Sequence, residues 1–354
     1  MTDTPATLAD LGWTHFFQQQ LSLEEWEATT PVRVFGLNRH LFETVGLSGP
    51  RQVILPVGWH GLTAEQLPTV GDWLLLNADG EVVRLLERTS LFKRMASGRE
   101  SKVQLIGANI DTLFVVTSCN QDFNLSRIER YLALALDGGV DPVLVLTKID
   151  LSDEVERFRA EAETLRPGMA VVAVNSKIES AAEALKSWCG RGQTVALVGS
   201  SGVGKSTLVN TLLADAVQET GEIRDLDDKG RHTTTARSLH LLPIGGLLLD
   251  SPGIRELQLG GCEEGVAALF DEIETVAREC RFSDCRHQGE TGCAVEAADA
   301  RGEFDPRRLA NYLKLRSEQD RTAETLEQKR RKEKSFSKVV KRAKKHRNEN
   351  CGEY

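Results

Sequence analysis

The chain has no apolar run long enough to cross a bilayer, and its first residues, Met1-Thr2-Asp3-Thr4-Pro5, lack the basic and apolar stretches of a secretory signal. These absences point to a cytoplasmic protein with no membrane partner. A disulfide framework is not expected either. In such a compartment the seven cysteines read as thiols or metal ligands, and four of them (Cys119, Cys189, Cys262 and Cys351) are scattered. Acid is nearly missing from one segment: between Lys329 and Arg347, eleven Lys and Arg stand against Glu333 alone. That segment carries about +10, so of the total charge of −8 the remainder carries about −18. It reads either as a solvated end or as an arm for a polyanion, with RNA first among candidates. The rest of the composition, 27% charged and 40% hydrophobic over 354 residues, is that of a globular chain of two or three domains.

The most informative stretch is Gly199-Ser200-Ser201-Gly202-Val203-Gly204-Lys205-Ser206, which fits G-x-x-x-x-G-K-[ST]. Thr194-Val195-Ala196-Leu197-Val198 before it reads as a buried parallel strand, and Thr207 to Leu213 after it has apolar residues at helical spacing. Strand, loop and helix are the context in which backbone N–H groups turn inward around a polyphosphate, aided by the helix N-terminus. Lys205 is expected to reach the β- and γ-phosphates, Ser206 to hold Mg²⁺ through its hydroxyl, and Thr207 to follow in the site.

Around this motif strands alternate with helices. Strands are expected at residues 111–117, 141–146, 170–174 and 194–198, and helices at 126–137 and 180–188. The pattern implies a parallel sheet whose ligand sits at the carboxyl ends of its strands. At the end of the second strand stands Thr147-Lys148-Ile149-Asp150, which resembles the guanine-reading [NT]-K-x-D element of GTPases. A carboxylate such as Asp150 accepts both N1–H and N2–H of guanine, a fork that adenine does not present. Asn175 and Ser176, at the end of the next strand, occupy the place of the loop whose backbone N–H meets guanine O6. Asp250-Ser251-Pro252-Gly253 resembles the D-x-P-G element, in which the Asp reaches Mg²⁺ through water and the Gly N–H meets the γ-phosphate. Within Thr233-Thr234-Thr235, Thr234 is favoured to complete the Mg²⁺ shell. Ordinary GTPases place the base-reading elements after the phosphate loop. Here they come first, so the domain is circularly permuted, a rearrangement that keeps the same strand neighbours.

Cys280, Cys285, His287 and Cys293 lie within a short span, and three thiolates with one imidazole suit a closed, tetrahedral, structural Zn²⁺. Helices are expected on both sides of the cluster, at residues 263–278 and from 307 to about 332. Towards the N-terminus, residues 31–92 show short β-like runs near 32–35, 52–57, 72–76 and 82–86, which suit a small barrel, an OB-fold first. Arg33, Arg39, His40 and Trp59 are its candidate RNA contacts.

Together these motifs resemble the ribosome small-subunit-dependent GTPase A family (RsgA, also called YjeQ). The residues that carry the likeness are Thr147 to Asp150, Gly199 to Ser206, Gly230-Arg231-His232-Thr233-Thr234-Thr235, Asp250 to Glu256 and the cysteine cluster. The resemblance implies a multidomain chain: an N-terminal extension (1–30), an OB-fold-like barrel (31–92), a linker (93–108), a permuted α/β P-loop GTPase domain (109–258), a helical zinc-binding domain (259–328) and a basic tail (329–354). It also implies GTP hydrolysis to GDP with Mg²⁺, stimulated by the small ribosomal subunit and acting late in its maturation through rRNA; a monomer is expected. Ile254 stands where many GTPases carry a water-positioning Gln, so slow intrinsic hydrolysis is predicted, with His232 as the internal candidate for orienting water. His232 equally suits a contact to switch backbone or rRNA. Two other readings share the same residues: an RNA-binding assembly chaperone reset by hydrolysis, and a small-molecule kinase. The base-reading element and D-x-P-G argue against the second.

Overall fold

The computed structural model describes residues 7–38, 41–95, 103–178, 180–220, 237–250 and 262–322. Thirteen strands lie in the described residues, eleven of them in one continuous sheet. After a 3₁₀ turn at Leu8–Leu11, two short helices, α1 (His15–Gln18) and α2 (Leu23–Ala28), precede the first strand. The strands β1 (Thr30–Asn38), β2 (Leu41–Gly46), β3 (Gly49–Ile54), β4 (Trp73–Leu76) and β5 (Val82–Leu85) then form an antiparallel unit. Its core is Val32, Val34, Phe42, Val53, Leu74, Leu76 and Val82. β2 had no counterpart among the expected strands, although its alternation buries Phe42, Thr44 and Gly46 and leaves Leu41 and Glu43 exposed.

Trp13, Phe16 and Phe17 close the other side of this unit, packing on Trp73, with Trp13 edge-on to the Trp73 ring at 4.8 Å. The described ends of the expected linker 93–108 are strands: β6 (Leu91–Met95) and β7 (Val103–Ala108) pair antiparallel, and residues 96–102 lie outside the described residues. Phe92, Leu105 and Ile106 of these strands are buried.

The α/β domain supplies β8 (Thr112–Ser118), α3 (Leu125–Asp137), β9 (Asp141–Thr147), α4 (Val155–Glu163), β10 (Val171–Ala173), α5 (Ser180–Leu185), β11 (Thr194–Val198), α6 (Lys205–Thr220), β12 (Ser238–Leu241) and β13 (Leu247–Asp250). In space the strands run β10-β9-β8-β11-β13-β12, parallel except for β12. The phosphate-loop strand β11 is central and buried throughout, as its unbroken apolar run predicts. One edge of β1 holds β4 at Thr30–Arg33 and then, past an irregularity near Gly36, meets β12 at Gly36–Ser238. The N-terminal unit is thereby joined to the α/β sheet.

Arg33 is the buried rivet of that junction, not an RNA contact. It is 1% exposed and donates to Leu11 O (2.6 Å), Gly71 O (3.1 Å) and Asn109 O (2.9 Å). Burial pushes its guanidinium down to about 10, with the Asp111 and Asp72 charges opposing, so it stays charged at neutral pH. Arg33→Met strands three carbonyls and is expected to cost about 3–5 kcal/mol, read as a lowered urea midpoint. Trp59 packs partly buried against the core of the antiparallel unit, and Arg39 and His40 lie outside the described residues.

At the C-terminal side come α7 (Glu263–Leu269), α8 (Asp271–Ala277), α9 (Ala294–Ala300) and a helix over 306–322. The single helix expected at 263–278 breaks at Phe270, which turns into the core. Val266, Leu269, Phe270, Leu309, Tyr312 and Leu315 share one cluster with Leu132 and Leu134 of α3, so this module and the α/β domain have a common core. Among the described residues no helix is long and apolar enough to cross a membrane.

Candidate nucleotide site and metal centre

The phosphate loop leaves β11 at Gly199, whose φ of 147° and position would bring a Cβ to 2.2 Å from Val116 O. Only glycine lets the chain turn there against β8. Gly202 and Gly204 also take positive φ, and the helix α6 begins directly at Lys205. Lys205 Nζ donates to Gly199 O at 2.7 Å and to Ser200 O, folding the ammonium back over the loop. Val203 is buried as the loop's anchor, while Ser201, Ser206 and Thr207 are exposed at its rim.

The Thr147–Asp150 turn, the candidate base-reading element, meets this loop at the same sheet edge, because β8, β9 and β11 are parallel and in register: Ser118 faces Thr147, and Val198 faces Val115. Thr147 is fully buried, with Oγ1 2.5 Å from Val203 O and 3.1 Å from Thr117 O. Its hydroxyl therefore ties the Thr147–Asp150 turn to the glycine-rich loop after β11. Lys148 takes a left-handed conformation (φ 58°) that turns the chain into the short 3₁₀ turn Ile149–Leu151. The Asp150 carboxylate stays accessible, its side chain 29% exposed, and lies 3.4 Å from Lys177 Nζ.

Asn175 Oδ1 accepts from Lys177 N (3.1 Å), and Ser176 O accepts from Thr211 Oγ1 of α6 (2.6 Å). Those two bonds pin the third loop beside Gly204. Ser176 Oγ is buried with no hydrogen-bond partner among the described residues.

Asp250 closes β13 opposite Ser238, exposed at the same edge. Two residues with no motif signal lie near these loops. His240 Nε2 is 2.9 Å from Ser238 Oγ; burial holds its imidazole below the usual range against the pull of Asp250, so it is neutral at pH 7. Arg127, in the first turn of α3, donates to Ser200 Oγ of the phosphate loop at 2.5 Å. His232, Thr234 and Gly253 lie outside the described residues.

The cysteine cluster assembles as expected. The ligand atoms of Cys280, Cys285, His287 and Cys293 all lie within 4.8 Å of one another. Cys280 Sγ to His287 Nδ1 is 3.6 Å, His287 Nδ1 to Cys293 Sγ is 3.4 Å, and the two sulfurs are 4.0 Å apart. A tetrahedron with Zn–S and Zn–N bonds of ordinary length has edges of about 3.4–3.8 Å, so the donors fit one Zn²⁺. Ala294 N donates to Cys280 Sγ and Glu296 N to Cys293 Sγ, bonds that favour thiolate. Desolvation, then the Cys293 and Cys280 thiols, push Cys285 up to about 11: three close thiols do not all ionise without a cation among them. Cys119, Cys189 and Cys262, by contrast, are buried thiols raised to about 11 or 12. Zn²⁺ withdrawn by a chelator, or a ligand lost in Cys285→Ser, is expected to lower the melting temperature by roughly 10 °C with release of one zinc per chain, measured by metal analysis beside thermal unfolding.

Comparison with known proteins agrees with this geometry. The RsgA GTPase family model matches residues 85–260. The chain is 49% identical over 340 residues to a protein of Vibrio parahaemolyticus named small ribosomal subunit biogenesis GTPase RsgA 2, covering 96% of this chain and 93% of the relative. It is 48% identical over 323 residues to the Mesorhizobium japonicum small ribosomal subunit biogenesis GTPase RsgA, covering 90% and 91%. The crystal structure of YjeQ from Thermotoga maritima superposes with a TM-score of 0.59 at 25% identity, over 81% of this chain and 97% of that one. The structure of YloQ, a circularly permuted GTPase, superposes with a TM-score of 0.60 at 22% identity, over 83% and 96%, and supports the fold alone. With a permuted α/β core, two nucleotide motifs closed on each other in reversed chain order and relatives alike over nearly its whole length, the chain belongs to the RsgA family of small ribosomal subunit biogenesis GTPases.

Proposed function

We propose that GTP lies across the carboxyl edge of the sheet, with guanine on Asp150 and its phosphates in the loop from Gly199 to Ser206, and that the small ribosomal subunit switches its hydrolysis on. The chain is a GTPase of small-subunit biogenesis, the activity its relatives carry in their names. The observation that carries the site assignment is the Thr147 hydroxyl on Val203 O: it locks the base-reading element onto the phosphate loop although the two lie 56 residues apart and in reversed order.

In this reading Asp150 selects the base by accepting from N1–H and N2–H, and Lys148 lays its stem along the ring. Ile149 shapes the turn between them. Backbone from Asn175 and Ser176 lines the other side of the base. N–H groups from Ser200 to Ser206 wrap the phosphates, and Thr207 extends the α6 N-terminus behind them. Mg²⁺, held by the Ser206 hydroxyl and Thr234 with Asp250 reaching it through water, would neutralise charge building on the β- and γ-phosphates. Lys205 stabilises the same charge, the Gly253 N–H faces the γ-phosphate, and His232 orients the attacking water once the subunit fixes its loop. The N-terminal unit is read as an OB-fold, which together with the basic tail faces rRNA. The domain boundaries are those laid out from the sequence, with the described ends of 93–108 assigned to the paired strands β6 and β7. The protein is placed in the cytoplasm as a monomer.

The test is GTP turnover by the full chain with and without purified small subunits, with ATP in parallel. Turnover is expected to be slow alone and to rise at least about tenfold with subunits, with no comparable ATP hydrolysis. His232→Ala is expected to remove that rise while subunit binding persists. An unchanged rate on adding subunits rejects the ribosomal switch, and equal use of ATP rejects the base assignment.

A further inference from the structure

Helix α3 carries charge at opposite flanks. Arg127 lies in its first turn and donates from Nη1 to Ser200 Oγ. Glu129, two residues on and therefore across the helix, is fully buried. It accepts from Arg307 (3.0 and 3.1 Å), Arg308 (3.2 Å) and Asn311 (2.5 Å) of the helix over 306–322. Gly265 of α7 lets α3 approach so closely that a Cβ there would sit 1.9 Å from Ala133 O. The helix is thus held rigidly from the side away from the nucleotide loops.

An arginine in the first turn is badly placed for the helix itself. It sits at the positive end of the macrodipole, which disfavours a cation there. The turn is already capped by Asn124, whose Oδ1 accepts from Arg127 N at 2.9 Å. Among the described residues no carboxylate forms an ion pair with Arg127. What its guanidinium does meet is the second residue of the phosphate loop. Ser200 is held twice, its carbonyl by Lys205 Nζ and its hydroxyl by Arg127. A glycine-rich loop loses conformational freedom with every residue fixed, and a bond from an ionised donor is strong enough to offset one such residue.

We propose that Arg127 is a positioning residue for the GTPase reaction, acting through Ser200 Oγ to hold the first turn of the phosphate loop in its nucleotide-binding shape. The proposal rests on the nucleotide reading above. It assigns a role in ground-state binding: the loop wraps the phosphates of substrate and product alike, so its loosening weakens both and leaves the chemical step alone.

The experiment is a double-mutant cycle on the full chain, with Arg127→Ala, Ser200→Ala, the pair together, and Arg127→Lys. The readouts are kcat and KM for GTP, the Kd of a fluorescent GDP analogue and the melting temperature. Arg127→Ala is expected to raise KM and the GDP Kd about tenfold with kcat within about twofold. Ser200→Ala should do the same, the double variant should be no worse than either, and Arg127→Lys should recover part of the loss. Effects that multiply in the double variant, a loss confined to kcat, or a lowered melting temperature with KM unmoved each overturn the proposal while wild-type turnover stands. A wild type that fails to bind GTP overturns the nucleotide reading and this proposal with it.

Discussion

Asp150→Asn is expected to move the base preference of the site from GTP to XTP. The carboxylate accepts two hydrogen bonds, and guanine offers N1–H and N2–H to match. Xanthine offers N1–H and a carbonyl oxygen in their place, so one carboxylate oxygen would face another oxygen. An asparagine reverses that: its Oδ1 accepts from N1–H and its Nδ2 donates to the xanthine carbonyl. The same Nδ2 meets the guanine N2–H as donor against donor. Sites built to pair with a polar group reject the mismatched analogue by on the order of 10⁴, so a swing of that size in relative affinity is expected. Little else should change. The Asp150 side chain is accessible, and its contact to Lys177 at 3.4 Å is a surface pair worth at most about 1 kcal/mol. Competition of GTP, XTP and ATP against a fluorescent nucleotide checks the result. Undiminished preference for GTP in the variant would remove Asp150 from the base site.

The parts of this site that a sequence reveals are those whose chemistry demands a fixed residue at a fixed spacing. The phosphate loop, the Asp150 element and the Cys280–Cys293 cluster are of that kind, and their order along the chain carries the permutation. The parts it hides depend on what the fold brings alongside. Thr147 read only as one member of the [NT]-K-x-D match, yet its buried hydroxyl reaches Val203 O, which nothing in its neighbours foretells.

Arg33 read as an exposed cation. Its acceptors, Leu11, Gly71 and Asn109, are 22, 38 and 76 residues away, so no local pattern could place it inside. Arg127 belongs to no motif; the available hint was a cation in the first turn of a helix already capped by Asn124, where the dipole disfavours it. The β6–β7 pair was masked by the polar residues Lys93, Arg94 and Gln104 in its strands, while Phe92, Leu105 and Ile106 are buried.

Lys205→Ala is expected to lower kcat for GTP by about 10²–10³, with the fold intact. The argument turns on where the ammonium sits. Nζ is folded over the loop onto Gly199 O and Ser200 O, at the start of α6, where N–H groups already point outward. Charge that grows on a transferring phosphoryl group is stabilised by cations fixed in advance, and losing one such group costs roughly this factor. Lys205→Arg should not restore the rate, because a planar guanidinium cannot reproduce the compact contact to two carbonyls on one turn of loop. Lys205 is only partly buried and holds backbone of a surface loop, so the melting temperature should move by no more than a few degrees. Single-turnover hydrolysis at saturating GTP, beside thermal unfolding, separates the two effects. Wild-type kcat in Lys205→Ala would mean that the phosphates are not gripped here, and the meeting of the Thr147 and Val203 loops would have to serve some other ligand.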